Sequence, residues 1–478
     1  MDLTTLRHTF SGRLYTEPTE MAPFLTDWRG KWRGDAIAVA QPDSVADIAS
    51  ILRCCHSQRV PVVPQGGNTG LSGGATPDVS GRALVLSLTR LNRVRAIDPA
   101  NNTIEVEAGI TLQQVQEAAR EAGLLFPLSL AAEGSCTIGG NLATNAGGVQ
   151  VLRYGNARDL CLGLEVVTAE GEVWNGLRGL RKDNTGYDLR DLFIGSEGTL
   201  GIITGAVLKL FPQPAAQVAA FVAVPAPRQA VELLQLAQAR IGPGLTAFEL
   251  MSDTCIGLVE KHADAARLPL DQRSPWYVLI EISDSENEAH AQAALESLLE
   301  AAMDQGLASD AALSSSLAQF RSLWALREGI SEAQGAEGRT IKHDISLPIS
   351  CIASFIATTD EAIACEFPGQ RLVVFGHLGD GNLHYNVSPP AGGSGAELDA
   401  AFAALEAPMN RRVHDAVVAH GGSISAEHGL GVLRRDESAR YKSAVELKLM
   451  RALKLAFDPF NLMNPGKLLD LETTQTDA

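Results

Sequence analysis

Apolar runs long enough for a membrane are missing from this chain. None approaches the roughly 20 residues that cross a bilayer, so no spanning helix is expected. Residues Met1–Met21 carry charges and no apolar core, which argues against a secretory leader there. Positive charge is in deficit: 39 Lys and Arg stand against 56 Asp and Glu, a formal net charge of −17. That balance argues against nucleic acid and anionic membranes as partners. It also obliges any anionic substrate to find a locally cationic pocket. The seven cysteines contain no Cys-x-x-Cys. An odd, scattered set without a leader reads as free thiols in a reducing compartment, and the cytoplasm is the expected location. Neither G-x-G-x-x-G nor G-x-x-x-x-G-K-[ST] occurs, so no Rossmann turn or P-loop is expected. Internal repeats and low-complexity stretches are absent too.

What remains is 478 residues of ordinary globular composition, enough for two or three domains. Residues 1–34 show no clear period and read as an arm or lid. Short apolar runs at Ala36–Ala40, Val60–Val63, Leu84–Leu88, Thr103–Val106, Leu160–Ala169 and Val207–Phe211 read as strands. Asp43 or Ser44 caps a helix whose Val45, Ile48, Ile51 and Leu52 share one face, and Leu112–Ala122 is a second helix. Pro212 and Pro214 mark a boundary. Beyond it, strands at Ala219–Val224, Ala247–Met251 and Trp276–Ile282 alternate with helices at Gln229–Arg240 and Ala289–Gln305. This predicts an α+β domain with helices on one sheet face. Further helices are expected at Leu317–Ala336, Leu398–Ala419 and Ala444–Ala456, and the last eight residues read as frayed. The expected divisions are 1–34, 35–212, 213–450 and 451–478.

The stretch richest in chemistry is Phe375–Val387. The apolar run Arg371–Phe375 and the alternating run Leu383–Val387 read as two strands around Asp380-Gly381, a two-residue hairpin signal. That register sets His377 opposite His384, with Cβ atoms roughly 5 Å apart, and Asn386 on the face of His384. Ser423–Gly431 adds Glu427 and His428. Two imidazoles and a carboxylate form a His₂Glu set with room for substrate on a metal. The alternative is a scatter of polar residues beside glycine turns. Arg181–Tyr187 likewise reads as two cations near a reaction site or as a solvated turn.

Two glycine-rich segments suit a large ligand. Pro64–Gly74 holds five glycines in eleven residues: Gly66, Gly67, Gly70, Gly73 and Gly74. Such a loop can turn N–H groups toward one pyrophosphate, with Asn68, Thr69 and Ser72 as side-chain donors, or it is a mobile surface loop. Glu133–Gly148 is almost wholly small, with Asn141, Thr144 and Asn145 as polar partners for something flat laid on the backbone.

These motifs, with Gly195–Gly201 and Asn464-Pro465-Gly466-Lys467, resemble the FAD-linked D-2-hydroxyacid dehydrogenases of the vanillyl-alcohol-oxidase-like flavoprotein superfamily. The likeness runs from about Trp32 to Leu468. Leu180–Thr204 and Trp324–Glu328 most resemble the members that act on D-2-hydroxyglutarate. The resemblance implies an FAD-binding domain of two α+β subdomains, then an α+β substrate domain with helices on an antiparallel sheet and a C-terminal helical segment. Pro64, Gly66, Gly67, Asn68, Thr69, Gly70, Ser72 and Gly73 would hold the pyrophosphate. Gly134, Ser135, Gly139, Gly140, Asn141, Thr144, Asn145 and Gly147 would line the ribityl chain and ring, with Glu197, Gly198, Gly201 and Ile202. Asn464 would approach the flavin from the tail. The first glycine loop has no His, so FAD is expected to be non-covalent.

The resemblance further implies a divalent metal, zinc as a rule, on His377, His384 and Glu427, with His428 as base and Asn386 beside the substrate. Arg327 and Lys342 would hold a dicarboxylate, and Ser331, one turn from Arg327, stands where the hydroxyglutarate pattern has Thr. For Arg327 and Lys342 a plain surface ion pair is the other reading. The implied reaction is oxidation of D-2-hydroxyglutarate to 2-oxoglutarate, with D-lactate or D-malate as alternatives. Electrons would pass to an electron-transfer flavoprotein or a quinone, and a homodimer is the expected assembly.

Overall fold

Residues 3–264, 266–392 and 396–471 of the chain are described by a computed structural model. They form two compact units. Residues 1–147, 154–213 and 427–478 belong to the first, and residues 148–153 and 214–426 to the second. The chain passes from the first unit to the second between Gln213 and Pro214. It returns at Ala426–Glu427, and it lends the second unit one short early segment.

The first unit holds two main sheets. Strands β1 (Gly12–Tyr15), β2 (Ala38–Pro42), β3 (Val62–Gln65) and β4 (Leu84–Ser87) form one, in the order β1-β2-β4-β3. Strands β2, β4 and β3 are parallel, and β1 runs antiparallel along β2. The expected N-terminal arm is therefore an edge strand preceded by a helix, Leu3–Thr9, whose Leu6 is fully buried in this sheet's core. One buried leucine and a four-residue strand are too little to register as a sequence period. Met1 and Asp2 lie outside the described residues, as do residues 472–478 of the tail read as frayed. Ser44 accepts a hydrogen bond from the Asp47 N–H and so starts the Val45–Gln58 helix, which buries Ile48, Ile51 and Leu52.

The second sheet joins β5 (Val94–Asp98), β6 (Thr103–Glu107), β8 (Cys161–Val167), β9 (Val173–Gly176) and β10 (Ile202–Lys209) in the antiparallel order β5-β6-β10-β8-β9. A two-stranded ribbon pairs β7 (Leu124–Leu125) with β11 (Phe211–Pro212). The Arg181–Tyr187 loop is exposed throughout, with Tyr187 at 94%.

The second unit is one antiparallel sheet. Its strands are β12 (Ala216–Val224), β13 (Leu245–Ser252), β14 (Trp276–Asp284), β15 (Asp310–Leu313), β16 (Asp344–Ser346), β17 (Arg371–His377) and β18 (Asn382–Ser388). They lie in the order β15-β12-β14-β13-β17-β18-β16. Helices Asp253–His262 and Ile352–Glu366 were not anticipated. The single helix expected over Leu317–Ala336 is two, Leu317–Glu328 and Ile330–Ala336, broken at Gly329. Glycine has the weakest helix propensity after proline. Leu398–Ala419 likewise divides into Ala396–Ala404 and Glu406–Ala419. None of the seven cysteines forms a disulfide, and no helix among the described residues is long and apolar enough to cross a membrane.

A buried ion pair anchors the C-terminal turn of the first unit. Lys454 and Asp458 are paired near the end of the Ala444–Phe457 helix, both almost wholly buried. Asp458 also accepts the N–H groups of Leu462 and Met463, while Lys454 donates to the Thr199 and Met463 carbonyls. Removing one member of a buried pair costs roughly 3–5 kcal/mol, because the other charge is left uncompensated. Lys454→Met should therefore lower stability by about 3 kcal/mol in denaturant titration. Adding Asp458→Asn should recover more than half of that loss; a double variant no better than the single one would contradict this account.

Candidate active site

In the first unit the glycine-rich segments converge on one cavity. Pro64, Gly66, Gly67, Asn68, Thr69, Gly70 and Ser72 line it from the loop after β3. Gly139, Gly140, Asn141 and Thr144 line it from the short Ile138–Ala143 helix, and Glu197, Gly198, Gly201 and Ile202 from the approach to β10. His428 is on the same wall. Close approach explains the small residues. A Cβ on Gly67 would lie 1.8 Å from the Ser135 carbonyl oxygen. Gly198 has φ +70°, and a Cβ there would meet Pro64 at 2.4 Å.

Two side chains of this region have orphaned polar atoms. The Thr137 hydroxyl and the Asn141 amide nitrogen are buried with no hydrogen-bond partner among the described residues, and both residues line the cavity. Unsatisfied buried polar groups cost about 1–3 kcal/mol each, so a polar ligand fits this cradle. Thr137, Gln65 and Ser196 are lining residues that the sequence reading passed over. Thr137 sits two residues from a glycine pair, which was the available signal.

Other expected contacts are spent inside the protein. The Asn68 amide donates to the Thr26 carbonyl, and the Ser72 hydroxyl to the carbonyls of His428 and Gly429. Those two side chains thus brace the loop. Gly73, Gly134, Ser135, Asn145, Gly147 and Asn464 do not line the cavity. Asn145 instead accepts the Arg158 N–H, and Ser135 donates to Ala132. Asn464 is buried behind the wall, where its amide holds the Gly74 and Glu197 carbonyls.

Glu197 lines the cavity and also fixes the loop that carries His428. Its two oxygens accept the Leu430 and Gly431 N–H groups at 2.7 and 2.8 Å. Burial raises its carboxyl above the ordinary range, against those two bonds and the charge of Lys467.

In the second unit the hairpin forms with a different register. Phe375, not His377, is opposite His384, and the loop is the four residues Leu378–Gly381. Leu378 is drawn into the core, and Asp380 turns its carboxylate onto the Asn382 N–H, so pairing stops short of Asp380-Gly381. The slip is two residues, an even number, so every side chain keeps its face. His377 and His384 are still neighbours, with ring centroids 5.8 Å apart.

Behind His377 is Glu249, directly opposite it on β13. The carboxylate accepts from His377 Nδ1 at 2.8 Å and from Arg327 Nε at 2.8 Å. All three are buried. Burial alone would raise the Glu249 carboxyl; the charges of His377 and Arg327 prevail and lower it. A carboxylate only accepts, so His377 carries its proton on Nδ1 and its neutral form presents a lone pair on Nε2. That tautomer, in a donor set of imidazoles, fits a divalent transition metal.

Arg327 ends one helix and Ser331 begins the next, so the continuous helical face expected for them is interrupted at Gly329. Arg327 is buried, whereas Ser331 and Lys342 are exposed. Asn386 is buried, with its amide donating to Gln334 and its oxygen accepting the His343 N–H. On β14, Glu281 takes hydrogen bonds from Trp324 and Gln217, and burial pushes its carboxyl up to about 7.

Neither Glu249 nor Glu281 was foreseen. Each interrupts an apolar strand at a core-facing position, and that was the signal.

The family model described as "FAD binding domain" matches residues 36–176, and "FAD linked oxidases, C-terminal domain" matches residues 213–468. A D-2-hydroxyglutarate dehydrogenase of Xanthomonas citri pv. viticola is 41% identical over 467 residues, 97% of this chain and 96% of the relative. The mitochondrial D-2-hydroxyglutarate dehydrogenase of Bos taurus is 40% identical over 98% of this chain and 83% of the relative. The solved structure of p-cresol methylhydroxylase, 16% identical, superposes with a TM-score of 0.75 over 98% of this chain and 96% of that one.

The cradle's dependence on glycine can be tested directly. Gly67→Ala forces a Cβ onto the Ser135 backbone, so the purified variant should carry much less flavin than the parent. Equal yellow absorbance per protein in the two would contradict the close-packing argument.

Proposed function

The chain belongs to the FAD-linked D-2-hydroxyacid dehydrogenases, and from that premise we propose that it oxidises D-2-hydroxyglutarate to 2-oxoglutarate with a metal ion and a histidine base. The observation that carries the chemistry is His428 on the wall of the glycine cradle. The choice of acid follows the relatives named for D-2-hydroxyglutarate.

Oxidation of a 2-hydroxy acid takes a hydride from carbon and a proton from oxygen. FAD supplies the hydride acceptor at its N5, a task no side chain performs. A divalent ion, which the family resemblance gives as zinc, would supply the positive charge that makes the hydroxyl more acidic. His377, His384 and Glu427 would hold that ion. Supporting Glu427 is its neighbour Ala426, whose N–H bonds to the Asp344 carbonyl, and Asp344 is the strand partner of His384. One peptide bond therefore separates Glu427 from a backbone fixed beside His384.

His428 accepts the hydroxyl proton on an imidazole nitrogen, the part of a general base. Arg327 uses Nε for Glu249, and its terminal nitrogens are assigned to the distal carboxylate. Lys342 adds an exposed cation, with Ser331 and Asn386 completing the substrate's surroundings. Thr137 Oγ1 and Asn141 Nδ2, without a partner among the described residues, are offered to the flavin. Electrons leave to an electron-transfer flavoprotein or a quinone.

A shorter D-2-hydroxy acid, D-lactate or D-malate, is the second reading. Ser331 leaves it open, because it keeps the hydroxyl of the Thr in the hydroxyglutarate pattern and lacks the methyl.

Two variants test the roles. His428→Asn should keep its flavin and lose turnover by about 10²–10⁴-fold, the usual worth of a general base; full activity would remove the assignment. Lys342→Ala should raise KM roughly tenfold for D-2-hydroxyglutarate, the cost of one charge-assisted contact, and leave D-lactate nearly unchanged. Equal changes for both acids would move Lys342 away from the distal carboxylate.

A further inference from the structure

Two donors of different proposed duty meet on one buried carboxylate. His377 Nδ1 and Arg327 Nε each lie 2.8 Å from Glu249. His377 belongs to β17 and Arg327 to the last turn of the Leu317–Glu328 helix, and Glu249 on β13 is where they are joined. The glutamate is only 1% exposed, so water does not fill in for either donor.

We propose that Glu249 is a positioning residue that sets the metal ligand and the substrate-gripping arginine together. The proposal rests on the metal reading of His377 given above. Toward His377, the carboxylate holds the proton on Nδ1 and leaves Nε2 as the ligand atom. Toward Arg327, it takes Nε and fixes the plane of the guanidinium, so the two terminal nitrogens point in one defined direction. The Phe375 ring supports the same orientation, with the guanidinium carbon 4.8 Å from its centroid. Metal affinity and recognition of the distal carboxylate are thereby tied to a single side chain.

The packing around Glu249 makes glutamine a revealing replacement. Glu249→Gln keeps the shape. Its amide has one acceptor oxygen for two converging donors, and its NH₂ group faces the other donor head-on. Either the His377 ring must change tautomer or Arg327 must turn away. A residue that merely filled space would tolerate the change.

The test uses purified, flavin-loaded protein. Zinc affinity is measured by competition with a chelator, and KM and kcat are measured for D-2-hydroxyglutarate and D-lactate with a dye as electron acceptor. For Glu249→Gln the expected result is about a 10–100-fold loss of zinc affinity, as for other partners of ligating histidines. KM should also rise more for D-2-hydroxyglutarate than for D-lactate. Unchanged zinc affinity, or equal KM changes for the two acids, overturns the proposal.

Glu249→Asp keeps the charge on a shorter arm and should give an intermediate loss. It serves as the deciding variant if the glutamine form does not fold, and zinc affinity equal to the parent's would then overturn the proposal. His377→Ala is the control for the underlying reading. If it binds zinc like the parent, the metal assignment fails. If it loses zinc while Glu249→Gln keeps it, the metal assignment stands and the role of Glu249 fails.

Discussion

A carboxylate inside a protein must find donors for its oxygens or lose hold of its charge, and both units of this chain contain acids under that constraint. In the first, Glu197 gathers the Leu430 and Gly431 N–H groups, and Asp458 gathers Lys454 with the Leu462 and Met463 N–H groups. In the second, Glu249 gathers Arg327 and His377, and Glu281 gathers Trp324 and Gln217. In each case the donors come from segments distant in the chain or from a turn that must be held shut. The acids are thus the joints of the structure. Apolar packing supplies most of the burial free energy, but it does not specify which loop residue meets which strand.

The joints were also what the sequence concealed. Alternation of apolar and polar residues was enough to place His377, His384 and Asn386 on one sheet face, because side-chain direction depends only on parity. The hairpin register was misread by two positions, since Asp380-Gly381 looks like a complete turn when the pull of Leu378 into the core is not visible. The error left the imidazoles on one face by arithmetic. The apolar pattern continues on both sides of Gly329 and hides the break there, so spacing alone gives Ser331 the face of Arg327. Glu249 and Glu281 were passed over inside strands that otherwise read as core.

In the cradle, the glycines were read for their backbone freedom and the neighbouring polar residues for their donors. Where a Cβ would collide with backbone, as at Gly67, local composition carries the information. The use of a side chain is different, because it depends on what arrives from elsewhere. Asn68 and Ser72 are polar residues in a glycine loop, and no local rule says that Thr26 or the His428–Gly429 carbonyls will claim them. Their commitment shifts the burden of ligand binding toward backbone N–H groups and toward Thr137 Oγ1 and Asn141 Nδ2, which have no hydrogen-bond partner among the described residues.

The arrangement in the second unit also bears on how so acidic a chain would take up a dianion. Arg327 and Glu249 carry opposite charges in a buried pair, so together they contribute almost no net attraction. What the pair offers a carboxylate is direction: a planar fork held in one orientation, with its entropy already lost. Net positive charge must then come from other groups. On the proposed assignments these are the divalent ion, whose charge exceeds that of the one carboxylate holding it, and the exposed Lys342. Orientation and attraction are thereby divided between different residues. An arginine alone, in a chain with a net charge of −17, would have to supply both, and the buried glutamate beside it would cancel the second.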